Sequence, residues 1–194
     1  MIRDRVAPLV PDAEILARLL AKTRAVTLEK GEAALEEGTV ATEVLFVFDG
    51  LLRMLTTDAE TGTARTAQFF DEGQAITDPV SFLSGSLSDQ TIEAIARTRL
   101  VLIPRAALLA AYEADHAIER LGRLLVEEAL IGTHRRASRL LSLTVEERYQ
   151  TFMRTRPEVA RRVPQYLIAS YLGVTPEALS RVRGRIARGG GKSG

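Results

Sequence analysis

The sequence predicts an α+β chain: a β-rich front, one long helix, and an all-helical rear. Three observations carry that prediction. From Val26 to about Pro104, short apolar or alternating runs are cut by turn residues at regular intervals. From Arg105 to Leu143 there is no proline and only two glycines, Gly122 and Gly132. From Thr144 onward, helix-capping residues and a helix–glycine–helix pattern take over.

In the front half, Asp12 to Lys22 reads as a short amphipathic helix entered from Pro11, with Ile15, Leu16, Leu19 and Leu20 on one face. The β region follows, punctuated by Lys30-Gly31-Glu32, Glu37-Gly38, Asp49-Gly50, Thr61-Gly62 and Glu72-Gly73. Asp49-Gly50 lies between two strand-like runs, Glu43–Phe48 and Leu51–Thr57, and predicts a hairpin turn, because a type I′ turn needs φ > 0 at both central residues. Short strands at this spacing fit a β-sandwich, barrel or roll. Pro79–Ser88 interrupts them as a loop or short helix, and Thr91–Ala96 and Leu100–Ile103 resume the pattern.

The helical stretch is too long for one ordinary helix, so a break is expected near Asp115-His116. In the second helix Ile118, Leu121, Leu125, Ala129 and Gly132 form one stripe, while Leu124, Leu130, Ala137, Leu140 and Leu141 extend apolar character to another side. A helix apolar on two sides must be covered on two sides, by the β domain and by a second chain. Glu128, Ala129 and Gly132 spoil a clean heptad. Thr144-Val145-Glu146-Glu147 is a capping box that starts a new helix running to about Arg154, with a hinge at Leu143-Thr144.

The bulk composition bounds the function. The chain has 194 residues, 46% hydrophobic and 26% charged, as in an ordinary soluble protein of one large or two small domains. Cysteine is absent, which excludes disulfides, thiolate chemistry and cysteine-ligated iron–sulfur clusters. No run of about 18 apolar residues suggests a membrane span, and Met1–Arg5 is followed by no apolar core of a signal peptide, so a cytoplasmic protein is expected. The net charge of +1 conceals an asymmetry: residues 145–194 hold 10 Lys+Arg against 4 Asp+Glu, and the other 144 residues hold 16 against 21. A basic end attached to an acidic front suits a polyanion, because cationic side chains release counterions from phosphates.

The segment Pro164 to Arg188 sharpens this expectation. Pro164 suits a first helical turn, Leu167, Ile168, Tyr171 and Leu172 give an apolar face, and small Ala169 admits a close helix. Gly173 falls where the chain must leave the helix. Thr175 is then an N-cap, Pro176 an N1 residue and Glu177 a first-turn acid. With Val174, Leu179, Val182 and Ile186 packed inward, Thr175, Glu177, Ser180, Arg181, Arg183 and Arg185 remain for the exposed side. A second helix with polar residues at its start and arginines along its length suits a DNA major groove, where Arg bonds guanine O6 and N7 and Glu accepts from cytosine N4. The glycine-rich tail contains Gly191-Lys192-Ser193, but the spacing of a phosphate loop fails there, its first glycine falling on Ile186.

On these residues the chain resembles the Crp/Fnr-type transcription regulators, in a compact subgroup. The resemblance rests on Lys30-Gly31-Glu32, Glu37-Gly38 and Phe46–Arg53 in the β region, on Glu147-Arg148-Tyr149, and most specifically on Ile168–Arg181. It implies an N-terminal double-stranded, jelly-roll-like β-roll sensor domain over residues 1–110, a long dimerisation helix over 111–143, and an all-α helix-turn-helix domain over 144–194. It implies that Glu177 and Arg181 contact base edges, that Gln165 and Thr175 contact phosphates, and that Pro176 replaces a residue that is often a base-reading arginine. A homodimer joined through the helix at 116–141, an inverted-repeat operator in double-stranded DNA, and RNA polymerase as a candidate further partner follow from the same resemblance. The winged hairpin that often follows the recognition helix is missing, which weakens the expected DNA affinity.

The effector is another matter. Cyclic-nucleotide responders of this type hold the ribose with a Gly-Glu pair and the cyclic phosphate with an Arg-Ser/Thr-Ala segment. The matching candidate pocket residues here are Gly73, Gln74, Gln90 and Thr91, without the carboxylate and the guanidinium, so the usual cAMP response is expected to be lost. Haem would need His116 or His134, ordinarily just polar residues of a helix. No metal site, cofactor or catalytic nucleophile is expected; two histidines, both outside the roll, are too few for a metal-dependent enzyme. The rival expectation is a ligand-sensing or protein-interaction module whose DNA binding is weak or lost.

Overall fold

The computed structural model of the protein describes residues 12–189. Pro11, the charged start Met1–Arg5 and the tail from Gly190 lie outside the described residues. Helix α1 (Ala13–Leu20) begins at Asp12, whose carboxylate accepts from the backbone N–H groups of Glu14 and Ile15. Eight strands follow: β1 Arg24–Leu28, β2 Ala33–Leu35, β3 Glu43–Asp49, β4 Leu52–Thr57, β5 Ala64–Phe70, β6 Ala75–Ile76, β7 Thr91–Ala94 and β8 Thr98–Pro104. A short helix, α2 (Pro79–Ser84), lies between β6 and β7.

The strands form two antiparallel four-stranded sheets, ordered β1-β8-β3-β6 and β2-β7-β4-β5. Alternation along each strand decides what faces inward. Leu45 and Val47 of β3, Leu100 and Leu102 of β8 and Ile76 of β6 meet Leu52 and Met54 of β4 and Ile92 and Ala94 of β7. The fold is therefore α+β with a double-sheet β domain, as expected.

The Asp49-Gly50 hairpin is not there. β3 pairs with β8 and β6, whereas β4 pairs with β5 and β7, so Asp49-Gly50 carries the chain from one sheet to the other. Only Gly50 has positive φ, +118°. Its backbone is pressed against Thr98: a Cβ at residue 50 would stand 2.4 Å from Thr98 Oγ1 and 2.5 Å from its Cα. The next residue, Leu51, is fully buried; its N–H donates to Thr98 Oγ1 at 3.0 Å, and its carbonyl accepts from Ile95 N–H at 3.0 Å. Glycine is required here by close approach at a sheet corner rather than by a hairpin turn.

Helix α3 (Arg105–Ala114) and helix α4 (His116–Ser142) are separated at Asp115, at the predicted break. Asp115 is extended, and its carboxylate accepts from Ala117 N–H at 2.7 Å and from Asp12 N–H at 2.6 Å. One side chain thus caps α4 and fixes the start of α1 beside it. Early in α4, Ile118 packs with Leu19 and Ala111, and Leu124 is also buried. Further along, Leu125, Val126, Leu130, Ile131 and Leu141 are exposed. The two apolar sides read from the sequence are therefore a buried side near the start and an uncovered side over the remainder.

Four further helices follow among the described residues: α5 Val145–Thr155, α6 Pro157–Arg162, α7 Gln165–Tyr171 and α8 Pro176–Gly189. The capping box forms as predicted, with Thr144 Oγ1 accepting from Glu147 N–H and the Glu147 carboxylate accepting from Thr144 N–H. The helical unit shares its core with the β domain. Leu51 and Phe69 belong to the same buried cluster as Phe152, Val159, Val163, Leu167, Ile168, Leu172 and Leu179.

Polar contacts close this junction. A bulge in β5 leaves Ala67 outside the pairing between Met54↔Gln68 and Leu55↔Thr66. Thr66 N–H then donates to Ser170 Oγ at 2.9 Å, and Thr66 O accepts from Arg136 at 3.3 Å. Arg156 bonds Asp71 Oδ1 at 2.9 Å and Phe69 O at 3.2 Å. Arg162 bonds Glu72 Oε2 at 2.8 Å, while the other Glu72 oxygen accepts from Gly50 N–H at 2.9 Å. The Arg162 bond first, and the Gly50 N–H after it, hold the Glu72 carboxyl down to about 2.

Gly50→Ala introduces both the clash with Thr98 and a strained φ, so urea unfolding is expected to show a loss of about 1–3 kcal/mol. Gly184→Ala in α8, where the new methyl would meet only Arg188 Nη2 at 3.9 Å, is expected to gain about 0.5–1 kcal/mol instead. For Glu72 the folded pKa lies below its ordinary 4.5, so its stabilisation is complete above that value and is lost as pH falls toward 2. The melting-temperature gap between wild type and Glu72→Gln should be constant at neutral pH and close in acid. Because the Glu72 side chain is 42% exposed, salt should narrow the gap too.

Candidate nucleic-acid interface

Helix α7, the following turn and α8 form a helix-turn-helix whose geometry is dictated locally. Gly173 has φ of +70°; its N–H donates to Ser170 O at 3.0 Å, and Val174 N–H donates to Ala169 O at 3.0 Å. This pair of bonds is a Schellman stop, and the conformation at Gly173 is one that glycine adopts without strain. Thr175 then caps α8, its hydroxyl accepting from Ala178 N–H at 3.2 Å and its carbonyl from Leu179 N–H at 3.1 Å. Leu179 and Val182 are buried against α7 and α5, and Ile186 is half-buried on the same side.

With that side fixed, helical periodicity sets the other. Glu177, Arg181, Gly184 and Arg188 line up opposite the buried stripe, Ser180 and Arg185 flank them, and Arg183 sits at one edge. Glu177, Ser180, Arg181, Arg183 and Arg185 are all exposed, as are Thr175 at the cap and Gln165, the first residue of α7. The Glu177 carboxyl is lowered by its own backbone N–H at the helix start, then by the Thr175 hydroxyl, with Arg181 contributing. Arg185 leans toward α5, its Nε 3.6 Å from Glu146 Oε2. Two exposed residues were not read from the sequence: Arg188, seven positions beyond Arg181 on the same face, and Tyr166, 58% exposed beside Gln165. The seven-residue spacing from Arg181 is the sequence feature that points to Arg188.

The four candidate pocket residues lie in two places. Gly73 N–H donates to Val47 O at 2.9 Å, and Gln74 Oε1 accepts from Asp71 N–H at 3.0 Å and from Arg156 at 3.2 Å. Gln74 therefore serves the junction with the helical unit. Gln90 N–H donates to Ser88 Oγ at 3.1 Å, and Thr91 Oγ1 accepts from Glu37 N–H at 3.1 Å. Between these two places, the loop carrying α2 is closed by buried polar residues. Asp78 caps α2 and accepts from Ser88 Oγ–H at 2.7 Å, while Ser81 donates to Ser86 O and accepts from Ala41 N–H. A cavity of about 250 Å³ opens beside β2 and β3, where Glu36, Thr39, Glu43, Thr77 and Ile92 contribute to its wall. None of the four candidate residues lines it, nor does any Lys or Arg.

Among the described residues no helix is long and apolar enough to cross a membrane, and no group of three or more His, Cys, Asp and Glu is placed to hold a metal ion. No model of a known protein family matches the chain, and no curated protein matches it in sequence. Solved structures do match it in three dimensions. FixK2 from Bradyrhizobium japonicum is 24% identical over 87% of this chain and 86% of its own, with a TM-score of 0.72. The c-di-GMP responsive global regulator CLP from Xanthomonas campestris is 18% identical over 92% of this chain and 93% of its own, with a TM-score of 0.73. A protein from Eubacterium rectale assigned to the crp/fnr family of transcriptional regulators is 17% identical over 92% of this chain and 85% of its own, with a TM-score of 0.72. At these identities the likeness is one of fold, and the fold is that of Crp/Fnr-type regulators.

Proposed function

We propose that this chain, built on the fold of Crp/Fnr-type regulators, is a homodimeric transcription regulator that reads double-stranded DNA with α8. The observation that carries the reading is the face of α8 opposite Leu179 and Val182, where a first-turn carboxylate and successive arginines stand exposed on a helix pinned from behind. Such a face offers bidentate donors and an acceptor to base edges. Glu177, Ser180 and Arg181 are assigned to base edges. Gln165, Thr175, Arg183 and Arg185 are assigned to the backbone, where they fix register rather than sequence.

The second copy is assigned to the outer face of α4. Val126, Leu130, Ala137 and Leu141 recur at spacings of four and seven residues, and the three large ones are 64%, 68% and 91% exposed. A contiguous apolar stripe of this kind marks an association surface, and a dimer built on it presents two α8 helices to an inverted repeat. A usual cAMP response is not part of the proposal. Residues 74 and 90 carry no charge, Gln74 is committed to Asp71 and Arg156, and the cavity near β2 and β3 offers two carboxylates and no cation to a phosphate.

A gel shift on the gene's own upstream DNA tests the reading. Wild type is expected to bind with a steep salt dependence. Arg181→Ala should cost about 1–3 kcal/mol and relax sequence preference, whereas Arg183→Ala should weaken all sequences alike and flatten the salt slope. Absence of any shift at low salt would favour the interaction-module reading. For the dimer, sedimentation of Leu130→Asp is expected to give monomer where wild type gives dimer, with the roll and helices intact by circular dichroism.

A further inference from the structure

A second basic cluster lies away from α8. Where the end of α4 meets α5 and α7, a cavity of about 40 Å³ is lined by Arg136, Arg139, Arg148, Thr151, Thr155 and Tyr171 among others, with no carboxylate in its wall. Two of the three arginines have partial duties. Arg136 donates to Tyr171 O at 2.8 Å and lies 3.8 Å from the centre of the Tyr171 ring. Arg148 donates to Leu143 O at 2.9 Å. Those bonds leave donors over, above all on Arg139, which makes no side-chain bond among the described residues. None of the three forms an ion pair with a carboxylate of the described residues, although ten other arginines among those residues do.

Three guanidinium groups around one small cavity, none neutralised by a carboxylate of the described residues, make a site for an anion. Burial first, and Arg148 in addition, oppose the charge on Arg136, and an anion would relieve both. Planar guanidinium forks match the oxygens of a phosphoryl group, and the cavity is partly open to solvent, so that group can be free or carried on an ester. Thr151 adds a hydroxyl to the wall, whereas the Thr155 hydroxyl is committed as a donor to Thr151 O at 2.8 Å. We propose that this cavity binds a small phosphate-bearing anion through Arg136, Arg139 and Arg148. The occupant bridges α4 to α5 and α7, and so stiffens the attachment of the helix-turn-helix to the long helix.

The test is calorimetric titration of the full chain with inorganic phosphate, and separately with adenosine 5′-monophosphate. It is run in about 0.15 M potassium chloride so that diffuse charge effects are screened. Wild type is expected to bind, with phosphate raising its melting temperature. Arg139→Ala, which removes no bond within the protein, should keep its fold and weaken binding by about tenfold or more. Arg154→Ala, an exposed arginine of α5 outside the cavity, should bind as wild type. Tighter binding of the ester than of free phosphate would assign the site to a phosphate ester; equal binding would assign it to phosphate itself. The proposal is overturned by no heat up to about 10 mM of either ligand, by unchanged binding in Arg139→Ala, or by an equal loss in Arg154→Ala.

Discussion

Three parts of the chain meet on the side chain of Tyr171. Its ring packs 5.3 Å from that of Phe69 on β5 and 5.2 Å from that of Phe152 on α5, and the guanidinium of Arg136 from α4 lies over its face. The packing is aromatic and cation–π at once, in a site largely out of water, where each contact is stronger than at the surface. The same arginine ties the Tyr171 carbonyl to the Thr66 carbonyl. Sheet, long helix and helix-turn-helix therefore share one buried cluster, and the orientation of α8 is inherited from it. Helix α7 cannot rotate against β5 without separating Tyr171 from Phe69 and breaking the Thr66–Ser170 bond.

The sequence made the rear of the molecule legible because its rules are local. A capping box needs only Thr144 and Glu147, and a Schellman stop needs only Gly173 and its neighbours. The exposed set on α8 then follows from the 3.6-residue period once Leu179 and Val182 are placed inside. The break at Asp115 is expected from the length of the helical stretch alone, though its second role, holding the start of α1, depends on a residue 103 positions away.

The front was legible in kind and misread in connection. Asp49-Gly50 carries the local chemistry of a hairpin, yet strand pairing is decided by which faces bury together, and here β3 and β4 bury toward each other from opposite sheets. Gly50 is a glycine because Thr98, 48 positions on, occupies the space of a side chain. Gln74 reads as a pocket residue by position along the chain. Its amide oxygen instead accepts from Arg156, 82 positions later, an assignment that only the tertiary structure supplies. The polar closure of the α2 loop by Asp78, Ser81 and Ser88 escaped for the same reason, since serines in a loop look solvated until the backbone folds over them.

The charge asymmetry seen in the composition acquires a spatial meaning in the fold. Arg156 and Arg162 of the basic rear are spent on Asp71 and Glu72 of the acidic front, and Arg185 is partly spent on Glu146. Opposite charges thereby join the two halves. Arg181, Arg183 and Arg188 on α8, and Arg136, Arg139 and Arg148 at the other cluster, are among the arginines without a carboxylate partner in the described residues. Two surfaces gather several of these arginines: one is a convex helix suited to a groove, the other a small cavity at the end of α4. They are separated by α5, whose buried face carries Phe152 into the Tyr171 cluster, so the element between the two surfaces is the one on which the orientation of α8 depends.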